Sequence, residues 1–374
     1  MRRMIALLLG VVLALLLPTG VLAAETEDEE MISRALEESG IQGLSTLIPE
    51  EGRDFFRDGF SADTLDNLTP EGTFEALWET VSQKAGGPIR LLMSLVGVVM
   101  VTAMAGCLGE GQKGVNTAFA TASALTVTGL LADSVITIVT DTTRLIEELS
   151  LFMLSFIPVF SGAAAAAGRP ASALVYYGVV FSGVQFFSQI AGSLILPLIS
   201  IFLALGFTAS VTDVIQAEPL AKGVRSCALW MLSLCLTIFI GLLTIKGLVS
   251  AAADGVTVRA AKFALSSFVP VVGSALSEAY TSLFSCMGLV KSTIGVFGIL
   301  VMAVVFLPLV IRLGLYLLSL QLAATVADLL AEKRAGAVMR TASSALSVLL
   351  GLVISYGMMI LVSVTVVLLL GNGG

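Results

Sequence analysis

The feature that most constrains this chain is a succession of apolar runs from Leu91 to Leu370, separated by polar breaks of only a few residues. About 20 consecutive apolar residues are what an α-helix needs to cross the ~30 Å hydrocarbon layer of a bilayer. At that depth every backbone N–H and C=O must be bonded within the protein, which a run of this length achieves as a helix. The whole chain is 57% hydrophobic and 13% charged, against roughly 45–50% and about 25% in an ordinary soluble domain. A mean hydropathy of +1.00 excludes a cytosolic globule. The expected fold is all-α, a polytopic transmembrane helix bundle of about 8 to 10 spans.

The runs place spans near 91–108, 117–139, 150–167, 172–190, 194–212, 226–249, 264–288, 294–311, 313–331 and 345–370. The stretch 172–212 either turns after residue 190 or kinks at Pro197, and only Pro308 and Arg312 interrupt 294–331. With the amino terminus exported, ten spans put Lys113, Arg169, Lys222, Arg225, Lys291, Lys333, Arg334 and Arg340 on the cytoplasmic side. Arg144, Arg259, Lys262 and Arg312 fall outside, in agreement with the positive-inside rule.

The amino end differs from the rest. Arg2 and Arg3 precede an apolar core from Met4 to Leu17, then Pro18, Gly20 and the small residues Ala23 and Ala24. That order is the pattern of a cleavable secretory signal peptide over residues 1–23, the alternative being an uncleaved anchor helix. Residues 24–89 then form an acidic extracytoplasmic segment, and 90–374 the multi-pass membrane domain. Between residues 25 and 89 there are 16 acidic and 4 basic side chains, so nucleic acid and anionic headgroups are both repelled. Thr69, Pro70 and Glu71 make a helix start, and Phe74, Leu77, Trp78 and Val81 recur at helical spacing, so the segment is expected to be helical. Its apolar stripe either packs on Ile32, Leu36, Leu44, Phe55 and Phe56, lies on the membrane surface, or receives another protein.

Ionisable groups at membrane depth are expensive and ask for a reason. Thr126, Asp133, Thr137 and Thr140 share one face of a helix, and Ser274, Ser277, Glu278, Thr281 and Ser285 form a second such stripe. Two readings stand. Asp133 and Glu278 line a conduit for cations or protons, or the stripes are interhelical glue whose hydroxyls bond neighbouring helices. Gly162, the run Ala163–Ala167, Gly168, Gly295 and Gly298 are signals of close helix approach.

Enzymatic chemistry finds no support. The chain has no histidine, no phosphate-cradling loop and no zinc-protease helix. Its cysteines, Cys107, Cys227, Cys235 and Cys286, stand singly in apolar surroundings and read as small packing residues. No metal and no small-molecule cofactor is expected.

One block is recognisable. Lys246-Gly247, Ala253-Asp254-Gly255, Arg259-Ala260-Ala261-Lys262-Phe263, Phe268-Val269-Pro270-Val271-Val272-Gly273 and Lys291-Ser292-Thr293-Ile294-Gly295 resemble the signature stretch of the stage III sporulation protein AE family. The resemblance implies a non-enzymatic membrane protein of endospore-forming bacteria, in the mother-cell membrane facing the forespore. It implies membership of a secretion-like channel complex, with other stage III membrane proteins as partners (channel, ring and ATPase components), lipid around it and no nucleic acid. A free-standing secondary transporter and a purely structural scaffold for ring proteins are the alternatives. Read physically, Asp254-Gly255 with Arg259 and Lys262 predicts a charged turn at the membrane boundary, and Pro270 a bend just before the Glu278 stripe. That bend belongs either to a kinked span or to a re-entrant element lining a pore.

Overall fold

The structure, a computed structural model, describes residues 48–49, 86–108, 113–211, 217–268 and 273–371. The expected signal peptide, nearly all of the expected acidic extracytoplasmic segment with the helix expected over 69–81, and Pro270 lie outside the described residues. Ile48 is buried within the apolar core.

The described chain is helical. Helix α1 runs over Gly86–Leu108, α2 over Lys113–Ala166 and α3 over Pro170–Ile190. A π-helical turn at Ala191–Ile195 leads into α4, Leu196–Val211. Then come α5 over Ala217–Phe268, α6 over Gly273–Leu329 and α7 over Lys333–Gly371. Counting α3 through α4 as one unit, six helices among the described residues are long and apolar enough to cross a membrane.

Several breaks expected between spans are absent. Asp141, Arg144, Glu147 and Glu148 sit within α2 rather than in a loop, and Lys291 and Arg312 sit within α6. Asp254, Gly255, Arg259 and Lys262 lie inside α5, so the charged turn expected there is continuous helix. Charged residues with long stems are good helix formers, and a polar break in hydropathy is not a break in helix propensity. Pro158 and Pro308 likewise lie within α2 and α6. Pro197 acts differently: it has no N–H to give, and the turn before it widens so that the Leu196 N–H reaches back to the Ala191 carbonyl. The 172–212 stretch therefore continues through Pro197 instead of turning.

This continuity changes the geometry. The 54-residue α2 is about 80 Å long at 1.5 Å per residue. The hydrocarbon layer is ~30 Å thick and helices tilt by about 20° on average. A bilayer therefore covers only part of α2, α5 and α6. Lys113 and Arg169, which ten spans would put on one side, lie at opposite ends of α2.

Helix α7 is the centre of the bundle and mostly buried, whereas the peripheral α1 is mostly exposed. It packs against α2, α3, α4, α5 and α6. Stacked rings of Phe152, Phe156 and Phe160 run down α2, with centroids 5.8 and 5.5 Å apart, and end edge-on to Tyr176 of α3. The expected close approaches occur at Gly295, where a Cβ would stand 2.7 Å from Leu368, and at Gly298, which lies against the Phe156 ring. Gly162 instead faces open space.

Candidate functional site: a clamped hairpin and outward polar stripes

The signature block folds into the end of α5 and the beginning of α6. Two of its charges, Asp254 and Lys291, are buried at 2% and 3% exposure, and each meets the end of another helix. The Asp254 carboxylate accepts from the backbone N–H groups of Ala171 and Ser172, both at 2.8 Å, in the first turn of α3. Helix starts leave four N–H groups without internal partners and carry the positive end of the macrodipole, so a buried carboxylate is stabilised there by position. Charge-assisted bonds of this kind are worth about 1.5–3 kcal/mol each. Lys291 applies the same rule in reverse, its Nζ donating to the Val367 carbonyl at 3.2 Å in the last turns of α7.

Between these anchors the α2–α3 turn comes in edgewise. Gly168 has φ +80°, a conformation that costs any residue with a Cβ. A Cβ there would also stand 2.6 Å from the Phe284 ring. Glycine is thus required twice over.

Past these anchors the hairpin leaves the bundle. No described residue from Gly255 to Ala264, or from Ser277 to Leu289, is buried. The α5 and α6 arms extend roughly 15–20 Å beyond the α2–α3 turn, from the 1.5 Å rise per residue. Arg259 and Glu278 are exposed and Lys262 half-exposed on these arms. Phe268 closes α5 and Gly273 opens α6. Lys246 lies two turns before Asp254, exposed on α5.

The polar stripes face outward. Thr126, Asp133, Thr137 and Thr140 are all exposed on α2, and Glu278, Thr281 and Ser285 on α6. Ser274 falls in the first turn of α6, and its side chain lies outside the described residues. The hydroxyls bond their own helices: Thr126 to the Ala122 carbonyl at 2.9 Å, Thr140 to Ile136 at 2.9 Å and Thr281 to Ser277 at 2.8 Å. They do not join neighbouring helices of the same chain. Asp133 precedes the end of α2 by 33 residues, while Glu278 lies past that end. The two carboxyls are therefore on the order of 50 Å apart and line no common ring within one chain.

Next to Asp133 a cleft of about 450 Å³ opens between α2 and α4, lined by Val135, Ile136, Val139, Thr140, Leu203 and Phe207 among others. Its Thr140 and Ser200 hydroxyls are engaged with their own helix backbones, so the cleft is apolar in chemistry.

Sequence reasoning missed several polar contacts between helices. Ser150 of α2 shares hydrogen bonds with Ser188 of α3 and, at 2.7 Å, with the Tyr356 hydroxyl of α7. The Tyr356 ring packs between Phe187 and Phe306. Arg312 of α6 donates to Asp141 of α2 at 2.6 Å, and Arg340 grips Asp328 across the α6–α7 turn at 2.7 Å. The one signal available was Tyr356 itself, a polar handle in an otherwise apolar run.

Residues 53–371 match the family described as Stage III sporulation protein AE. Over 160 residues the chain is 29% identical to Stage III sporulation protein AE of Bacillus subtilis (strain 168). That stretch covers 43% of this chain and about 40% of the relative's length. No solved structure matches. The family match takes in every described helix, including the clamped hairpin, and the chain belongs to the stage III sporulation protein AE family.

Proposed function

We propose that this protein is a multi-pass membrane component of the stage III sporulation channel, a secretion-like complex linking mother cell and forespore, and that it works through partners rather than by catalysis. The observation that carries the proposal is the placement of the polar stripes on the outside of a bundle whose interior is filled. Phe152, Phe156, Phe160, Tyr176 and Tyr356 are fully buried, so among the described residues aromatic rings fill the interior where a polar route through a single chain would run. A free-standing carrier needs such a route, lined by polar or ionisable groups near mid-membrane. An assembly component needs the reverse: ionisable groups such as Asp133 and Glu278 on its outer faces, which gain partners when another chain covers them.

In this reading the protein sits in the mother-cell membrane, with the acidic segment exported into the space between the two membranes. Other stage III membrane proteins are its partners, and the Asp133 and Glu278 stripes serve contacts or passages formed between chains. A tagged copy purified from sporulating cells is expected to bring down other stage III membrane proteins, with crosslinks from residues 25–89 and from the 246–295 block. Recovery of the chain alone, together with solute transport by the pure protein in liposomes, contradicts the proposal and supports a free-standing transporter.

A further inference from the structure

The charges of this protein divide into those the chain satisfies itself and those it does not. Arg144 pairs with Glu148, Arg312 with Asp141 and Arg340 with Asp328, while Asp254 and Lys291 meet helix ends. Arg259, Lys262 and Glu278 have no charged partner among the described residues, although all three stand on one short hairpin. The basic pair is on the α5 arm and the acid on the α6 arm. The same arms expose large apolar side chains, Val256 at 66%, Phe263 at 69% and Leu283 at 58%.

We infer that the projecting hairpin is a docking surface for a second copy of this chain. Two hairpins related by a two-fold axis lay the α5 arm of one against the α6 arm of the other. Glu278 of each copy then meets Arg259 and Lys262 of its mate, and every contact is made twice. Charge complementarity selects this occupant. A patch carrying both signs on separate arms complements its own copy automatically, whereas its small net charge gives little attraction to an anionic bilayer. Enclosing Val256, Phe263 and Leu283 between the copies removes apolar surface from solvent and lowers the local dielectric, which strengthens the charge pairs beyond their worth on an open surface. Asp254 and Lys291 hold the root of the hairpin, so the arms are presented in a fixed orientation. This deepens the proposed function, which gives the Glu278 stripe to contacts between chains, by naming a second copy as the partner; self-capture of the chain tests it separately from recovery of other stage III proteins.

The test uses full-length chains carrying two different affinity tags, co-expressed in membranes, with the fraction of one captured through the other as the readout. Glu278→Lys in both copies, or Arg259→Glu with Lys262→Glu in both, is expected to lower capture at least tenfold. Mixing a Glu278→Lys copy with an Arg259→Glu/Lys262→Glu copy makes both sets of contacts opposite in sign and recovers capture. All three reversals placed in one chain recover it as well, which also shows that the reversed chains fold. Three results overturn the inference: no capture for the native chain, capture unchanged by single-arm reversal, or loss on reversal that neither combination restores. The last result assigns the hairpin to a different protein partner.

Discussion

The root of the signature hairpin and its projecting arms lie within a few turns of each other on the same two helices, yet treat charge in opposite ways. At the root, Asp254 and Lys291 are almost fully buried, and each is bonded to the backbone at another helix's end. On the arms, Arg259, Lys262 and Glu278 stand away from the core without charged partners among the described residues. Far along α2, Asp133 repeats the second pattern. A buried charge kept with hydrogen bonds to helix termini maintains the chain's own architecture. A charge kept exposed on an apolar helix, at a cost in any membrane setting, is retained for something outside the chain.

That contrast can be broken at the root first. Asp254→Ala leaves the N–H groups of Ala171 and Ser172 buried without acceptors, and is expected to cost about 3 kcal/mol. Asp254→Asn keeps one acceptor and is expected to lose about half as much. Thermal unfolding in detergent separates the two, and equal, negligible losses would show that the root is not a clamp. Next in size, Gly168→Ala forces a Cβ into a left-handed turn and against Phe284, with an expected loss of about 1–2 kcal/mol. The same unfolding measurement reads it.

The smallest effect belongs to Glu332, which precedes α7 outside the apolar spans. Burial pushes its carboxyl above the usual range, and its Oε2 has no hydrogen-bond partner. Folding therefore penalises the charged form relative to the unfolded chain. Its stability relative to a neutral residue is full at pH below the ordinary glutamate range and declines as the pH rises. Glu332→Gln is expected to leave the unfolding midpoint unchanged near pH 4 and to raise it by about 1–2 °C at pH 8. A midpoint that falls at pH 8 would mean the carboxylate is stabilised where it sits.

Membrane character and the all-helical fold were legible because hydropathy reports burial away from water directly. Membership of the family was legible in the 246–295 block. Helix boundaries were not: hydropathy breaks at Asp141–Glu148, Lys291 and Arg312 look like loops, but these residues are compatible with helix and find partners across the bundle, as Arg312 does with Asp141. Hydropathy also cannot distinguish a helix facing lipid from one buried in protein, so the central α7 and the peripheral α1 read alike. Helical periodicity groups the stripe residues by face. Which way they point depends on how α2 and α6 rotate against α7, a property of the packed bundle that periodicity does not contain. Asp254 was visible as part of a signature, but its partners are more than 80 residues away and no local pattern points to them.

The most direct test of this division compares the Asp133→Asn/Glu278→Gln double variant with the native chain in sporulating cells, measuring protein level and spore yield together. Because both carboxyls lie outside the chain's own interior, the amide variant is expected to accumulate at the native level while spore yield falls at least tenfold. Native spore yield from that variant would contradict the claim that the outward carboxyls serve contacts or passages between chains. Loss of the protein itself would show instead that they hold the fold.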